Sequence, residues 1–327
     1  MQKHIYITRK IPESGLKLLR DKGITFDIGN HKKPPTHKEL IKILKKKPYD
    51  GVIPLLTDQI DKEVFDACPS AKVFANFSVG FNNVDLEEAE KRNIQVSNTP
   101  GTSATAVAEH TVALMLTLTT RIDEGDRYMR KGKYKGWDPD LFVGTDMKGK
   151  TIGLIGCGEI GTEVAKILHF GFNSKIIYSD IRPNETLEKV DGAVKMETAD
   201  VLKNADIVSL HVPLLPTTRH LIDKKALESM KSTAFLINTS RGPVIDEKAL
   251  VEALRNGTIA GAGLDVYEFE PKLTRGLNRL PNVLLTPHIA SARQSARDMM
   301  SVIAVKNIIA FFEGGNVLNR CYQQCKK

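Results

Sequence analysis

The sequence predicts an α/β protein built from two doubly wound domains, each with a parallel sheet. Three observations predict this fold. Strand-like and helix-like segments alternate along the chain, the alternation starts again at Thr151, and 327 residues are enough for two domains of ordinary size. Parallel strands need crossover connections, and the helix-like segments between the strands supply them.

The first hundred residues contain four strand-like runs separated by amphipathic segments. The segments 13–23 and 85–93, ESGLKLLRDKG and DLEEAEKRN, are typical of helices that lie between strands. The predicted strands are 4–8 (HIYIT), 51–55 (GVIPL), 72–76 (KVFAN) and 94–96 (IQV).

A long helix is expected after Gly101, where Thr102 or Ser103 can cap its first turn. A polar stretch rich in glycine and aromatic residues follows, and it is long for a connection. We therefore predict an arm over about 120–148 that contacts a second copy of the chain in a homodimer.

The second half has six strand-like runs, with a helix after Asp246 that stops near Gly257. A last helix from about Ala292 to Phe312 is expected to return to the first domain. The predicted domains are therefore 1–99 with 292–327, and 100–291. The six strands are 151–156, 175–180, 206–212, 234–240, 260–266 and 283–287.

Composition and charge favour a soluble cytoplasmic protein that binds small anions. The chain is 41% hydrophobic and 26% charged. It has no run of eighteen consecutive apolar residues, so we expect no membrane-spanning helix. The four cysteines lack zinc-finger spacing, so we expect no metal site and a reducing compartment. The net charge of +8 is spread along the chain, which argues against nucleic acid and suits dinucleotides and carboxylic acids.

A dinucleotide motif follows the first strand of the second half. Gly156, Gly158 and Gly161 form G-x-G-x-x-G at the start of a helix, where a diphosphate can approach the backbone. Asp180 ends the next strand and can accept hydrogen bonds from ribose hydroxyls, which favours NADH over NADPH, although Arg182 could pair with a 2′-phosphate. An ordinary glycine turn beside a surface aspartate is the alternative.

Four polar residues follow strands of the second domain, where ligands bind in open α/β sheets. Arg241 can bind a carboxylate through its planar fork, and Glu270 can orient and charge the ring of His288 as an acid/base. Asp265 can contact a nicotinamide carboxamide. Each residue alone has a structural interpretation as a turn, a surface carboxylate or a strand-end histidine, but together they predict a site that reduces a 2-oxo acid.

Several segments closely resemble the signatures of the D-isomer-specific 2-hydroxyacid dehydrogenases, over nearly the whole chain. The resemblance implies two Rossmann-like domains with the active site in the cleft between them, usually in a homodimer. It also implies that Arg241 binds substrate, that His288 is the acid/base and that Glu270 is its partner. The segments are FANFSVGFNNVDLEEAEKRNIQVSNTPG, GKTIGLIGCGEIG, INTSRGPVIDEKALVEALRNGTIAGAGLDVYEFEP and PNVLLTPHIA.

The resemblance assigns further residues to ligands. Substrate carboxylate would be held by backbone groups of one loop, and the cofactor by residues at the ends of several strands. The substrate set is Ser78, Val79, Gly80 and Arg241. The cofactor set is Gly156, Gly158, Glu159, Ile160, Gly161, Asp180, Val212, Pro213, Thr239 and Asp265.

Within the family, the chain looks closest to glyoxylate/hydroxypyruvate reductases. Phosphoglycerate- or D-lactate-type dehydrogenases are alternatives, as is an NAD-sensing corepressor-like binding protein. Positions Leu55, Leu56 and Trp137 are predicted to line the substrate pocket. Glu159 stands where the family commonly has arginine, which is unfavourable beside a diphosphate unless the side chain points to solvent. The loop also reads GFNN where GYDN is commoner.

Overall fold

A computed structural model describes residues 2–30 and 33–321, with the backbone alone for residues 190 and 191. The chain divides into two compact units, Met1–Ser103 with Ala292–Lys327, and Ala104–Ser291. The division after Ser103 lies four residues beyond the boundary expected from the sequence, and the second division, before Ala292, coincides with it.

Both units are α/β, as the sequence predicts. The strands of the described residues are β1 (His4–Ile7), β2 (Thr25–Ile28), β3 (Gly51–Ile53), β4 (Val73–Ala75), β5 (Gln95–Ser97), β6 (Thr151–Ile155), β7 (Lys175–Ser179), β8 (Val194–Lys195), β9 (Ile207–Leu210), β10 (Phe235–Asn238), β11 (Gly261–Leu264) and β12 (Val283–Leu285).

Helices connect almost every pair of successive strands. They are α1 (Glu13–Asp21), α2 (His37–Leu44), α3 (Lys62–Ala67), α4 (Leu86–Lys91), α5 (Ala104–Thr119), α6 (Ile122–Arg130), α7 (Glu159–Phe172), α8 (Glu185–Asp191), α9 (Thr198–Asn204), α10 (Lys224–Ser229), α11 (Glu247–Arg255) and α12 (Gln294–Gly314), with short 3-10 turns at Gly242–Val244 and Leu277–Arg279.

The first unit holds a five-stranded parallel sheet in the order β2-β1-β3-β4-β5. Strand β2 was not predicted, because this edge strand is only partly buried and lacks an apolar run. Helix α12 packs on this sheet. Its Ala304, Val305 and Ile308 lie in one core cluster with Ile5 and Ile7 of β1.

The second unit holds a seven-stranded parallel sheet in the order β12-β11-β10-β9-β6-β7-β8. Helices pack on both faces of this sheet and form two apolar core clusters with it. The strands between the two edges are almost wholly buried. Strand β8 was not predicted, because its two residues, Val194 and Lys195, are exposed at the sheet edge. The order changes direction at β6, which lies between β9 and β7, and ligands bind at such a switch point.

Two predicted details of the second unit can be compared with the structure. Helix α11 begins after Asp246, as predicted, and the Asp246 carboxylate caps it by accepting hydrogen bonds from the amides of Lys248 and Ala249. The predicted arm, about 120–148, contains helix α6 and then an irregular, mostly exposed segment.

We expect Gly15→Ala to destabilise the first unit, because α1 and α12 touch at this residue. An added β-carbon would lie 2.2 Å from Oγ of Ser301 and 2.6 Å from its carbonyl oxygen, so the helices must separate. Such overpacking costs about 1–3 kcal/mol of unfolding free energy, measurable by urea denaturation. Gly314→Ala is the matched control, since it lies at the end of α12 and its β-carbon meets nothing within 4 Å. Equal stability of the two variants would contradict the packing of α12 on α1.

Candidate functional site

The loop between β6 and α7 requires glycine at two of its three motif positions. Gly156 has a φ of 89°, and a β-carbon there would lie 2.7 Å from the carbonyl carbon of His211. A β-carbon on Gly161 would lie 2.5 Å from the carbonyl oxygen of Gly156. Gly158, by contrast, caps α7 and has open space where its side chain would be. The backbone of this loop therefore borders a space in front of the N-terminus of α7.

Two polar side chains hold this loop in place. Asp180 accepts hydrogen bonds from the amides of Cys157 (2.6 Å) and Arg182 (3.2 Å), so its carboxylate sits at the loop. Asn184 donates to the carbonyl oxygen of Cys157 at 2.9 Å and to the hydroxyl of Thr162 at 2.8 Å. Burial, helped by Asp180, raises the pKa of the Cys157 thiol to about 12, so this cysteine is a protonated packing group.

His211 supports the loop from β9 and was not singled out from the sequence. Its amide donates to the carbonyl of Ile155 at 2.7 Å, and its Nε2 lies 2.9 Å from the hydroxyl of Ser209. Burial lowers the pKa of His211 to about 4, so the ring is neutral at physiological pH. Its position directly after a buried strand is the sequence feature that could have identified it.

The residues of the loop fit a dinucleotide. The first-turn amides of α7 have no partner inside the helix, and the open space before Gly158 gives a diphosphate access to them. Glu159 begins α7 with an exposed side chain, and the next residue, Ile160, is partly buried. The carboxylate of Glu159 therefore lies in solvent, the arrangement in which an acid is tolerated here.

Arg241 follows β10 in an extended conformation, with φ −143° and ψ 136°. Its backbone carbonyl accepts from the side chain of Asn238 at 3.0 Å, and its guanidinium donates to the carbonyl of Ser240 at 2.6 Å. Burial lowers the pKa of this guanidinium, and the charge of Glu270 opposes that shift. A guanidinium stays charged even when it is partly removed from water. The site therefore holds a desolvated cation that can bind a carboxylate.

Glu270 and His288 form a hydrogen-bonded pair, with 3.0 Å between Oε2 and Nδ1. Burial alone would raise the pKa of Glu270. The bond and charge of His288, the amide of Tyr267 and the charge of Arg241 outweigh burial, so the pKa of this carboxyl lies below its ordinary value. An ionised Glu270 only accepts hydrogen bonds, so Nδ1 of His288 carries a proton and Nε2 is the nitrogen that exchanges one.

His288 has a left-handed backbone, with a φ of 53°. This conformation costs a non-glycine residue roughly 1–2 kcal/mol. Asp265, which is fully buried, offsets that cost. Its carboxylate accepts hydrogen bonds from the amides of Ile289 and Ala290, both at 2.8 Å. The structure thus places Asp265 against the loop of His288, and its predicted contact with a nicotinamide stays a prediction.

The Ser78–Gly80 loop lies after β4 in the first unit. The amide of Ser78 already donates to the carbonyl of Asn76 at 2.8 Å. The carbonyls of Ser78 and Val79 accept from the amide of Thr99 (3.0 Å) and the side chain of Asn98 (2.6 Å). In a trans peptide the N–H points opposite to the C=O. The amides of Val79 and Gly80 therefore point away from Thr99 and Asn98.

The remaining predicted ligand residues occupy less specific positions. Thr239 is buried, with its hydroxyl 2.9 Å from that of Thr111, while Val212 is partly buried and Pro213 exposed after β9. Leu55 and Leu56 are partly buried, whereas Trp137 is 84% exposed, so the second unit by itself gives Trp137 no pocket to line.

The described part of the chain holds neither a metal cluster nor a membrane span. Over residues 2–30 and 33–321, no three His, Cys, Asp or Glu side chains are placed to hold a metal ion. Over the same residues, no helix is both long and apolar enough to cross a membrane.

Comparisons with known proteins agree with this geometry. Residues 112–290 match the family described as "D-isomer specific 2-hydroxyacid dehydrogenase, NAD binding domain". A glyoxylate reductase of Thermofilum pendens is 46% identical over 316 residues, which cover 95% of this chain and 91% of that protein.

Solved structures resemble the chain over nearly its whole length. A protein of Thermus thermophilus has a TM-score of 0.90 at 40% identity, covering 97% of this chain and 99% of that one. An NADPH-dependent glyoxylate/hydroxypyruvate reductase from Sinorhizobium meliloti has a TM-score of 0.84 at 31% identity, covering 98% and 97%. The chain therefore belongs to the D-isomer-specific 2-hydroxyacid dehydrogenases, a family of oxidoreductases.

Proposed function

We propose that this protein reduces a small 2-oxo acid, such as glyoxylate or hydroxypyruvate, to the D-2-hydroxy acid with NADH. The hydrogen-bonded Glu270–His288 pair, together with the partly buried guanidinium of Arg241, is the observation that carries the proposal. The relatives named glyoxylate reductase support the choice of substrate. Mixing the protein with NADH and a panel of 2-oxo acids tests it, and unchanged NADH absorbance across the panel would refute it.

Arg241 would bind the substrate carboxylate and polarise its carbonyl. Its guanidinium is preorganised by the bond to Ser240, so little rotational freedom is lost on binding. The amides of Val79 and Gly80 would donate to the same carboxylate. Ser78 would contribute less than expected, because its amide is already bonded to Asn76.

His288 would donate the proton through Nε2, since Nδ1 is bonded to Glu270. A nicotinamide cofactor, when bound, would be the source of the hydride for the carbonyl carbon. Glu270 would stabilise the charged ring before transfer and keep it in one tautomer afterwards. Because the pKa of Glu270 lies below its ordinary value, this carboxylate stays ionised throughout the neutral range.

The cofactor would bind at the β6–α7 loop, with Asp180 facing the adenosine ribose. Asp180 lies at the loop through two backbone amides, so its charge is fixed where a 2′-phosphate would come. This favours NADH over NADPH, in contrast to the relative from Sinorhizobium meliloti, which is described as NADPH-dependent.

The protein would act as a homodimer through the predicted arm. Several large apolar side chains of the arm are more than half exposed, which is costly in an isolated chain. They are Ile122 (58%), Met129 (56%), Tyr134 (51%), Trp137 (84%) and Val143 (65%).

His288→Gln should lower kcat for 2-oxo acid reduction by a factor on the order of 10²–10⁴, because the proton donor is lost. Binding of NADH, followed by its fluorescence, should change little. The matched control is His220→Gln. His220 also has a positive φ, 50°, and also pairs with a carboxylate, Glu268 at 2.7 Å, but lies outside the proposed set. Equal losses in the two variants would show that His288 has no special role.

Asp180→Ala should raise KM for NADH and lower KM for NADPH, since one acceptor and one repulsive charge disappear together. Steady-state kinetics with each cofactor measure both constants. Asp200→Ala is the control, because Asp200 is an exposed residue of α9. A fall in activity with both cofactors would assign Asp180 to loop structure alone.

The wild-type chain should have twice the mass of one chain by light scattering after size exclusion. Replacing Trp137 and Val143 together by serine should shift that mass toward one chain, because apolar area is removed from the interface. A control with Phe170→Ser and Ile181→Ser changes side chains that are 67% and 91% exposed outside the arm. A monomeric wild type would refute the dimer.

A further inference from the structure

His110, in the middle of α5, contacts the polar group that holds the loop of His288. Its Nε2 lies 3.1 Å from the hydroxyl of Thr286 and 3.7 Å from Oδ1 of Asp265. The His110 side chain is 12% exposed and that of Asp265 is fully buried. The sequence separation of 176 residues between His110 and Thr286 shows that the fold creates this contact.

The hydrogen atoms of this group can be assigned from its chemistry. The hydroxyl of Thr286 donates to Oδ1 of Asp265 at 2.6 Å, and a hydroxyl has one hydrogen to donate. Towards His110 the hydroxyl must therefore accept. His110 accordingly carries a hydrogen on Nε2, and the chain of donors runs from His110 through Thr286 to Asp265.

The acceptor end of this chain, Asp265, holds the backbone around His288. Asp265 accepts from the amides of the two residues after His288, Ile289 and Ala290. The amide of His288 itself donates to the carbonyl of Thr286 at 3.0 Å, and the Tyr267 hydroxyl donates to the same carbonyl at 2.8 Å. The left-handed turn at His288 is thus fixed on both sides by residues that also bind each other.

We propose that His110 is a positioning residue for His288, acting through the hydroxyl of Thr286 and the carboxylate of Asp265. By donating to Thr286, His110 orients that hydroxyl toward Asp265, and Asp265 then holds the two amides that set the direction of the His288 ring. The role in turnover rests on the proposed function, whereas the bonds themselves do not.

Replacement of His110 by Phe and by Gln separates the donor from the volume of the ring. Phenylalanine keeps a ring of similar size without a donor, whereas glutamine places an N–H near the position of Nε2. We expect His110→Phe to lower kcat about tenfold, because a displaced acid reacts poorly, with little change in the binding of NADH. His110→Gln should stay close to wild type. Equal losses in the two variants would overturn the proposal.

A double-mutant cycle with Thr286→Val tests the path of the effect. Because His110 acts through the hydroxyl of Thr286, His110→Phe should add little to the loss caused by Thr286→Val alone. Fully additive losses would show that His110 acts by another route.

Amide hydrogen exchange of the free protein tests the same bonds without turnover. The amides of Ile289 and Ala290 should exchange faster in His110→Phe than in wild type, and His110→Gln should restore their protection. Amides at the centre of β6 report global stability and should not change. Unchanged exchange at Ile289 and Ala290 would overturn the proposal, while a wild type inactive on all 2-oxo acids would refute the proposed function only.

Discussion

The hydrogen-bond register of β10, β11 and β12 is the constraint on which the candidate site depends. Asn238, Leu264 and Leu285 end these strands side by side. The ladder continues one residue further, since the amide of Asp265 donates to Asn238 at 3.0 Å and that of Thr286 to Leu264 at 2.9 Å. Residues distant in sequence therefore leave the sheet at one level, and a slip of one residue would turn Asp265 away from Thr286.

Charge at this edge is stable because each ionised group has a partner. Holding the guanidinium of Arg241 or the ionised carboxylate of Glu270 away from water would each cost free energy if the group had no partner. The hydrogen bond and charge of His288 and the charge of Arg241 lower the pKa of Glu270, and the charge of Glu270 opposes the effect of burial on the pKa of Arg241. A guanidinium, a carboxylate and an imidazole are therefore held near one another beyond the ends of β10, β11 and β12.

The sequence predicted the parts of this fold that have strong local patterns. Ten of the described strands coincide with apolar runs of the sequence. The glycine motif and Asp180 lie directly after two of these strands. Strands β2 and β8 were missed because edge strands are short and partly exposed. In the site, Arg241 and His288 lie three residues beyond β10 and β12, so their place at the sheet edge follows from the predicted parallel sheet, whereas Glu270 lies six residues beyond β11.

Contacts between residues that are distant in the sequence could not be predicted from such local patterns. The donor to Thr286 is His110, a residue of an apolar helix whose pattern says nothing about which strand end it meets. The already bonded amide of Ser78 and the two amides held by Asp265 depend on turn geometry, which the residue types leave open. Sequence patterns therefore locate the functional groups, and the backbone around them decides which atoms remain available.

The strand order also argues for an extended ligand. Asp180 follows β7, the glycine loop follows β6, and Arg241 follows β10, with β9 between the last two. Neighbouring strands lie about 4.8 Å apart, so β7 and β10 are separated by roughly 14 Å along the edge. A mononucleotide bound at Asp180 and the loop would end before Arg241. A dinucleotide laid across the edge would bring its second ring toward the strand ends where Arg241, Glu270 and His288 lie, which is what hydride transfer to a bound oxo acid requires.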